Sequence, residues 1–328
     1  MYFGYYPKKF DHNHHNKSAS PKNIIDIFET MSKVLIHIGY VKSGSTYLQH
    51  WLARHPAMFY KFKAVTGFYG THDISWYAES TDPMHECFVI SSEHLSVWKS
   101  DSDIVGMRQG LKKYDIKAYQ NKLCDTLHAI YPTGKILIVT RGYTSLFQSF
   151  FSSYVSIGGT YNFEDLLKSM WDNFPDLFDY SRVVSIYREK FGHDNVIVLP
   201  YEMLRADPHA FTSLIEEKMG VKNSFKYSTQ KVNAALDKKT LSAYRAVSNT
   251  VYKLIQPFPY KMQKALYGFY IKQLHQHNLD WLFKRVTKIL DREENMDAME
   301  GVLKAMQGKA ELLRHEELYQ PYLKEYLL

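Results

Sequence analysis

Lys33 to Leu52 reads KVLIHIGYVKSGSTYLQHWL. A short apolar run, Val34, Leu35, Ile36 and Ile38, closes at Gly39. A loop of small residues follows, Lys42-Ser43-Gly44-Ser45-Thr46, and then a segment with helical spacing of apolar side chains. The pattern predicts strand, glycine loop and helix in that order. Such a unit aims free backbone N–H groups and a helix N-terminus at a phosphate. The lysine inside the loop adds a mobile positive charge, and an anionic nucleotide is the ligand this stretch implies.

Similar apolar runs recur along the chain at Cys87–Ser91 (CFVIS), Lys135–Thr140 (KILIVT) and Val196–Leu199, the last closed by Pro200. Helical spacing runs through Tyr114, Ile116, Leu123, Leu127 and Ile130, and a further helix is expected from about Thr144. Pro56 limits the first helix, and Pro132 with Gly134 marks a turn. Residues 60–85 are rich in Gly, Tyr, His and Thr and read as loop or irregular structure. Unbroken apolarity in KILIVT and VIVL means burial on both faces, and alternation with helices means a parallel sheet. The expected fold is α/β: a P-loop-like three-layer α/β/α core with a central parallel sheet and a helical C-terminal region. No repeat of fixed period is present. The α/β core is expected over residues 31–235, with 236–328 a helical extension of the same domain, divided by Pro257 and Pro259. Residues 1–30 read as a disordered leader rather than a metal site, although His12, His14 and His15 cluster there. The β pattern begins directly after Met31, which makes Met31 a candidate start.

The chain has 328 residues, 45% of them hydrophobic, which excludes global disorder. Lys and Arg outnumber Asp and Glu by 41 to 34, so the net charge is +7 and an anionic partner is favoured. Two cysteines, Cys87 and Cys124, are too few for a disulfide framework and form no CxxC pair, so a reducing compartment is expected. No apolar run approaches the roughly 18 to 20 residues that span a bilayer, and the N-terminus lacks a signal-peptide core. A cytoplasmic protein is expected, with peripheral contact to a membrane left open.

A P-loop NTPase places lysine directly before its Ser/Thr, whereas here Lys42 stands two residues before Gly44. Lys42-Ser43-Gly44-Ser45-Thr46-Tyr47-Leu48 resembles instead the phosphosulfate-binding loop of sulfotransferases, Pro-Lys-Ser/Thr-Gly-Thr-Thr-x-Leu. Val41 stands in place of the proline and Ser45 in place of the first threonine. The third apolar strand runs into Arg141, and Ser149 follows eight residues on, a spacing similar to the pair that grips the 3′-phosphate of the donor in that family. Tyr201-Glu202-Met203-Leu204 resembles the family's Tyr-Glu-x-Leu segment, whose tyrosine lies near the adenine. Tyr47 occupies a place where relatives stack an aromatic on that base, while Glu202 is read as structural. The resemblance spans residues 33–220. It implies a sulfotransferase that uses 3′-phosphoadenosine 5′-phosphosulfate (PAPS), with no metal, because Lys42, Arg141 and the helix end supply the positive field.

Transfer to a hydroxyl needs a base. The second strand ends in Ser91-Ser92-Glu93-His94, similar to bacterial carbohydrate-directed members. Neighbours on an extended strand face opposite ways, so one of Glu93 and His94 is expected to reach the site, with Glu93 preferred. Lys42 is expected beside the bridging oxygen, with Ser43, Gly44, Ser45 and Thr46 around the 5′-phosphate. Lys231-Val232-Asn233 is a weaker candidate for closing over the donor. The expected acceptor is a hydroxyl on a carbohydrate or glycolipid, and no nucleic-acid partner is expected. Between Leu241 and Leu290 basic and aromatic residues interleave around a lone acid, Asp280, a pattern that suits an acidic polysaccharide, a glycolipid or a membrane surface. Two other readings stay open: a P-loop nucleotide kinase, and a non-catalytic nucleotide- or glycan-binding protein.

Overall fold

The computed structural model describes residues 33–60, 65–68, 71–74, 84–92, 95–96, 115–170, 174–221, 225–227 and 236–328. Its strands are β1 (Val34–His37), β2 (Met58–Tyr60), β3 (Val65–Phe68), β4 (Thr71–Ile74), β5 (Cys87–Ser91), β6 (Lys135–Thr140) and β7 (Val196–Pro200). Its helices begin with α1 (Ser45–Leu52), α2 (Ile116–Ile130), α3 (Tyr143–Ser156), α4 (Phe163–Met170), α5 (Phe174–Leu177) and α6 (Tyr180–Phe191). They continue with α7 (Tyr201–Ala206), α8 (Pro208–Met219), α9 (Lys238–Ile255), α10 (Tyr260–His275), α11 (Asp280–Leu290) and α12 (Met299–Met306). Short 3-10 turns at Glu311–His315 and Glu317–Glu325 close the chain.

Five strands form one parallel sheet in the order β2-β5-β1-β6-β7. Successive residues of each strand face opposite layers. Ile36, Ile38, Ile136 and Ile138 pack with α2, α3 and α6, while Leu35, Leu137, Val139 and Leu199 pack with α1 and α8. This is the three-layer α/β/α arrangement that the unbroken apolar runs predict. Each such side chain, fully removed from water, contributes about 1.5–3 kcal/mol. The four predicted strands all form. Residues 60–85 depart from the expected irregular structure: β2 reaches Tyr60 at the sheet edge, and β3 and β4 make an antiparallel hairpin. A three-residue edge strand is too short for a periodic signal. The hairpin is held by backbone pairing between Val65–Phe68 and Thr71–Ile74 that an apolar count does not register.

Helix ends are set by local chemistry. Asp207 caps α8 by accepting from the N–H groups of His209 and Ala210, with Pro208 at the first helical position and Gly220 at φ 61° ending it. Asp179 and Asp237 cap α6 and α9 in the same manner. His55 stops the chain after α1 and ties it to α8, its Nε2 lying 3.0 Å from Glu216 Oε1. The same carboxylate oxygen accepts from Phe225 N–H at 2.8 Å, which lays residues 225–227 beside α1.

Two buried polar clusters fasten the C-terminal edge of the sheet. In the first, His37 at the end of β1 meets Ser91 at the end of β5, Nδ1 to Oγ 2.8 Å. In the second, the final turns return to β6. Thr140 Oγ1 lies 2.8 Å from the Tyr319 hydroxyl and 3.3 Å from that of Tyr326, which donates to Glu202 Oε2 at 2.5 Å. Glu202 Oε1 accepts from Gly142 N–H at 3.1 Å, so this buried carboxylate joins β7, β6 and the C-terminus. The structural role read for Glu202 matches these contacts.

Glu202→Ala strands the Gly142 N–H and the Tyr326 hydroxyl, and a loss of about 2–4 kcal/mol in urea unfolding is expected, with Tyr326→Phe losing about 1 kcal/mol. Equal, negligible losses for both would exclude this clamp. The His37 imidazole is pushed down to about 3 by burial. The unfolded chain takes up a proton below about pH 6.5, the folded one only near 3, so this stability is present above 6.5 and lost as the pH falls. His37→Asn, whose amide can still meet Ser91, is expected to flatten the fall of the urea midpoint over that window. An unchanged slope would assign the acid sensitivity elsewhere.

Candidate functional site

The chain order places the turn after β1 between the ends of β5 and β6, where open parallel sheets bind ligands. Ile38 N–H still pairs with Leu137 O at 3.1 Å, and Ser43 N–H turns back to Tyr40 O at 3.4 Å. Lys42 at φ 63° and Gly44 at φ 85° then take the left-handed backbone. For lysine this costs about 1–2 kcal/mol, which the surrounding contacts must supply. Gly44 needs its lack of a side chain for packing too: a Cβ there would lie 2.5 Å from Leu204 Cδ2 and 3.2 Å from the Tyr201 ring. Gly39 is similarly enclosed by the His37 ring and the Ser45 hydroxyl.

The N-terminus of α1 is electrostatically incomplete. Gly44 offers no capping side chain, and the first turn holds no acid. The first N–H groups of a helix have no acceptor inside it. Beside them the Ser43 hydroxyl is fully buried without a hydrogen-bond partner. Ser45 Oγ donates to Tyr40 O at 3.4 Å, and Thr46 is half-buried on the same turn. The donors gathered here suit an anion.

Arg141 leaves the end of β6 and crosses to this loop. Its Nη1 donates to the Lys42 carbonyl at 2.7 Å, its Nε to Ser145 Oγ at 2.9 Å, and its guanidinium carbon stands 4.4 Å from the centre of the Tyr201 ring. The Tyr180 hydroxyl fixes the Arg141 carbonyl at 2.8 Å, and Tyr180 is itself stacked on Tyr143, the rings 5.1 Å apart and 2° from parallel. Burial lowers the Arg141 pKa, but a guanidinium stays charged at any working pH. Among the described residues no carboxylate forms an ion pair with it, although the Glu202 charge acts on it through space.

The predicted residues fall as follows. Lys42, Ser43, Gly44, Ser45, Arg141 and Tyr201 are brought together by the contacts above. Tyr47 lies in the first turn of α1, its hydroxyl donating to Tyr227 O at 3.1 Å and its ring 5.5 Å from that of Tyr227. Ser149 is half-buried on α3, and the Arg141 side chain bonds Ser145, one turn nearer. Glu93 and His94 lie outside the described residues, as do Lys231-Val232-Asn233, the His12–His15 cluster and the rest of residues 1–30. Their neighbours are fixed: Ser92 N–H donates to His37 O at 3.2 Å, and the Ser96 hydroxyl to Gly39 O at 2.6 Å. Among the described residues no three His, Cys, Asp or Glu gather as a metal site, and no helix is long and apolar enough to cross a membrane.

Several site residues were not singled out in the sequence. Ser145 could have been found, because it follows Arg141 by one helical turn. His37 and Tyr180 belong to no motif read from the sequence. Tyr227 carries no local signal, since it meets Tyr47 across 180 residues.

No family model and no curated protein sequence matches the chain. Among solved structures it is similar to a sulfotransferase from Alicyclobacillus acidocaldarius, with 18% identity and a TM-score of 0.42, over 68% of this chain and 94% of that one.

Proposed function

We propose that this protein is a sulfotransferase that moves a sulfuryl group from PAPS to an acceptor hydroxyl, on a carbohydrate or a glycolipid. One observation carries the reading: the Arg141 guanidinium donates to the carbonyl of Lys42 at 2.7 Å. The glycine loop and the strand-end arginine therefore touch, which supports a shared site for a nucleotide with phosphates on both its 3′ and 5′ positions. The unpartnered Ser43 hydroxyl and the uncapped α1 N-terminus fit a 5′-phosphate, and the unpaired guanidinium fits a 3′-phosphate. Ser149 and Ser145 both stand on the helix that follows Arg141. Tyr47 and Tyr201 offer rings for the base.

On this reading Lys42 neutralises the bridging oxygen as the bond from sulfur to the phosphate oxygen breaks and that oxygen keeps the electron pair. The acceptor oxygen forms the new bond to sulfur, and its proton passes to Glu93 or His94. The attachment of Ser92 and Ser96 to the β1 turn supports a base at this edge of the crevice. Positioning and fixed charge do most of the work, as in phosphoryl transfer. A kinase reading is less well supported, because the residue directly before Ser45 is a glycine packed against Leu204.

Calorimetry with adenosine 3′,5′-bisphosphate is expected to show binding that Arg141→Ala weakens about ten- to a hundredfold. Absence of binding, or equal binding of adenosine 5′-monophosphate, would overturn the nucleotide assignment. With labelled donor and a panel of sugars and glycolipids, Lys42→Ala is expected to lower turnover about 10² or more while nucleotide affinity changes little. Lys42→Gly should lose turnover equally yet melt no lower than the parent, because glycine relieves the left-handed backbone at this position. Undiminished turnover in either variant would remove the lysine from the mechanism.

A further inference from the structure

We propose that the helical face built from α9 to α11 docks on the surface of an anionic lipid bilayer. The buried faces of these helices form a separate small core of Ile255, Tyr267, Tyr270, Leu274 and Phe283. Their outer faces are unusually apolar. Nine of the twelve markedly exposed large hydrophobic side chains among the described residues lie between Leu254 and Leu290. α10 carries two apolar rows. Tyr267, Tyr270 and Leu274 turn inward, whereas Met262, Leu266 and Phe269, spaced i, i+4, i+7, lie exposed along one outward row. Phe269 is 64% exposed, and on α11 Trp281 is 64% and Ile289 74% exposed. Isolated exposed hydrophobics are ordinary; a concentration of them marks a surface that meets something apolar.

Charge selects the occupant. Residues 251–290 hold seven lysines and arginines and one acid, Asp280, and that acid already faces His277 at 3.3 Å. On α11 Lys284, Arg285 and Lys288 are exposed beside Trp281 and Ile289. A second copy of this face would set like charges against each other. An acidic polysaccharide would answer the cations but would leave Leu254, Phe269 and Ile289 in water. An anionic bilayer answers both: headgroups meet the lysines, and the acyl boundary accepts the aromatic and aliphatic tips, tryptophan above all. Because no described helix can cross a membrane, the helices would lie in the interface plane. None of these residues is among those assigned to donor binding, so the test reads no catalysis.

The full chain is sedimented with vesicles of phosphatidylcholine, with and without about a third phosphatidylserine, at low and high salt. Partition onto the anionic vesicles is expected, falling about tenfold or more at high salt. Leu266→Glu with Phe269→Glu, and separately Lys284→Glu with Arg285→Glu and Lys288→Glu, should each lower it by a similar factor with unchanged thermal melting. The proposal is overturned if the parent chain partitions no better onto anionic than onto neutral vesicles, or if well-folded variants bind like the parent. It is equally overturned if vesicle binding is absent while sedimentation velocity finds a dimer that Phe269→Glu breaks, or while a sulfated polysaccharide retains parent and variant alike.

Discussion

β1 lies in the middle of the parallel sheet, and Leu35 is enclosed by one helical layer, Ile36 and the following Ile38 by the other. A strand buried on both faces can be joined to parallel neighbours only by crossovers that lie over those faces. The chain therefore leaves every strand of the sheet at the same edge. The glycine loop after β1, Arg141 after β6 and Tyr201 after β7 arrive at one place because the packing of hydrocarbon leaves them no other exit. Their meeting is a consequence of how the core is covered.

That rim is held in a state that suits an anion. Several groups are left without the partners a closed structure would give them: the first turn of α1 has no cap, Ser43, Tyr40 and His37 Nε2 bury polar atoms without a hydrogen bond, and Arg141 makes no ion pair with a described residue. Each is costly in isolation. The structure maintains them by rigid support from beneath. Tyr180 holds the Arg141 carbonyl, Glu202 holds the Gly142 N–H, and His37 ties β1 to β5. Burial holds the His37 imidazole well below its ordinary pKa, so it adds no charge beneath the loop near neutral pH.

The C-terminal part serves two ends. Its last turns bring Tyr319 and Tyr326 under the end of β6, where their hydroxyls complete the Glu202 cluster. Its long helices have a core of their own and turn a basic, apolar surface outward.

The positions of the four principal strands along the chain, the two-sided burial of the sheet and the glycine loop could all be read from residues close together in the chain. Apolar run length, glycine position and capping aspartates act over a few residues, so their physics is local. Arg141 was visible as a strand-end cation for the same reason. Its contact with the Lys42 carbonyl, 99 residues away, was not, nor was Tyr47 with Tyr227, nor the return of Tyr326 to Glu202 across 124 residues. Ser145 rather than Ser149 against Arg141 depends on the side-chain path across α3 and not on spacing along it. Local propensity decides which elements form. Which ends meet, which hydroxyl stays unpaired and which helix face remains bare follow from filling one shared volume, and no short stretch of chain contains that information.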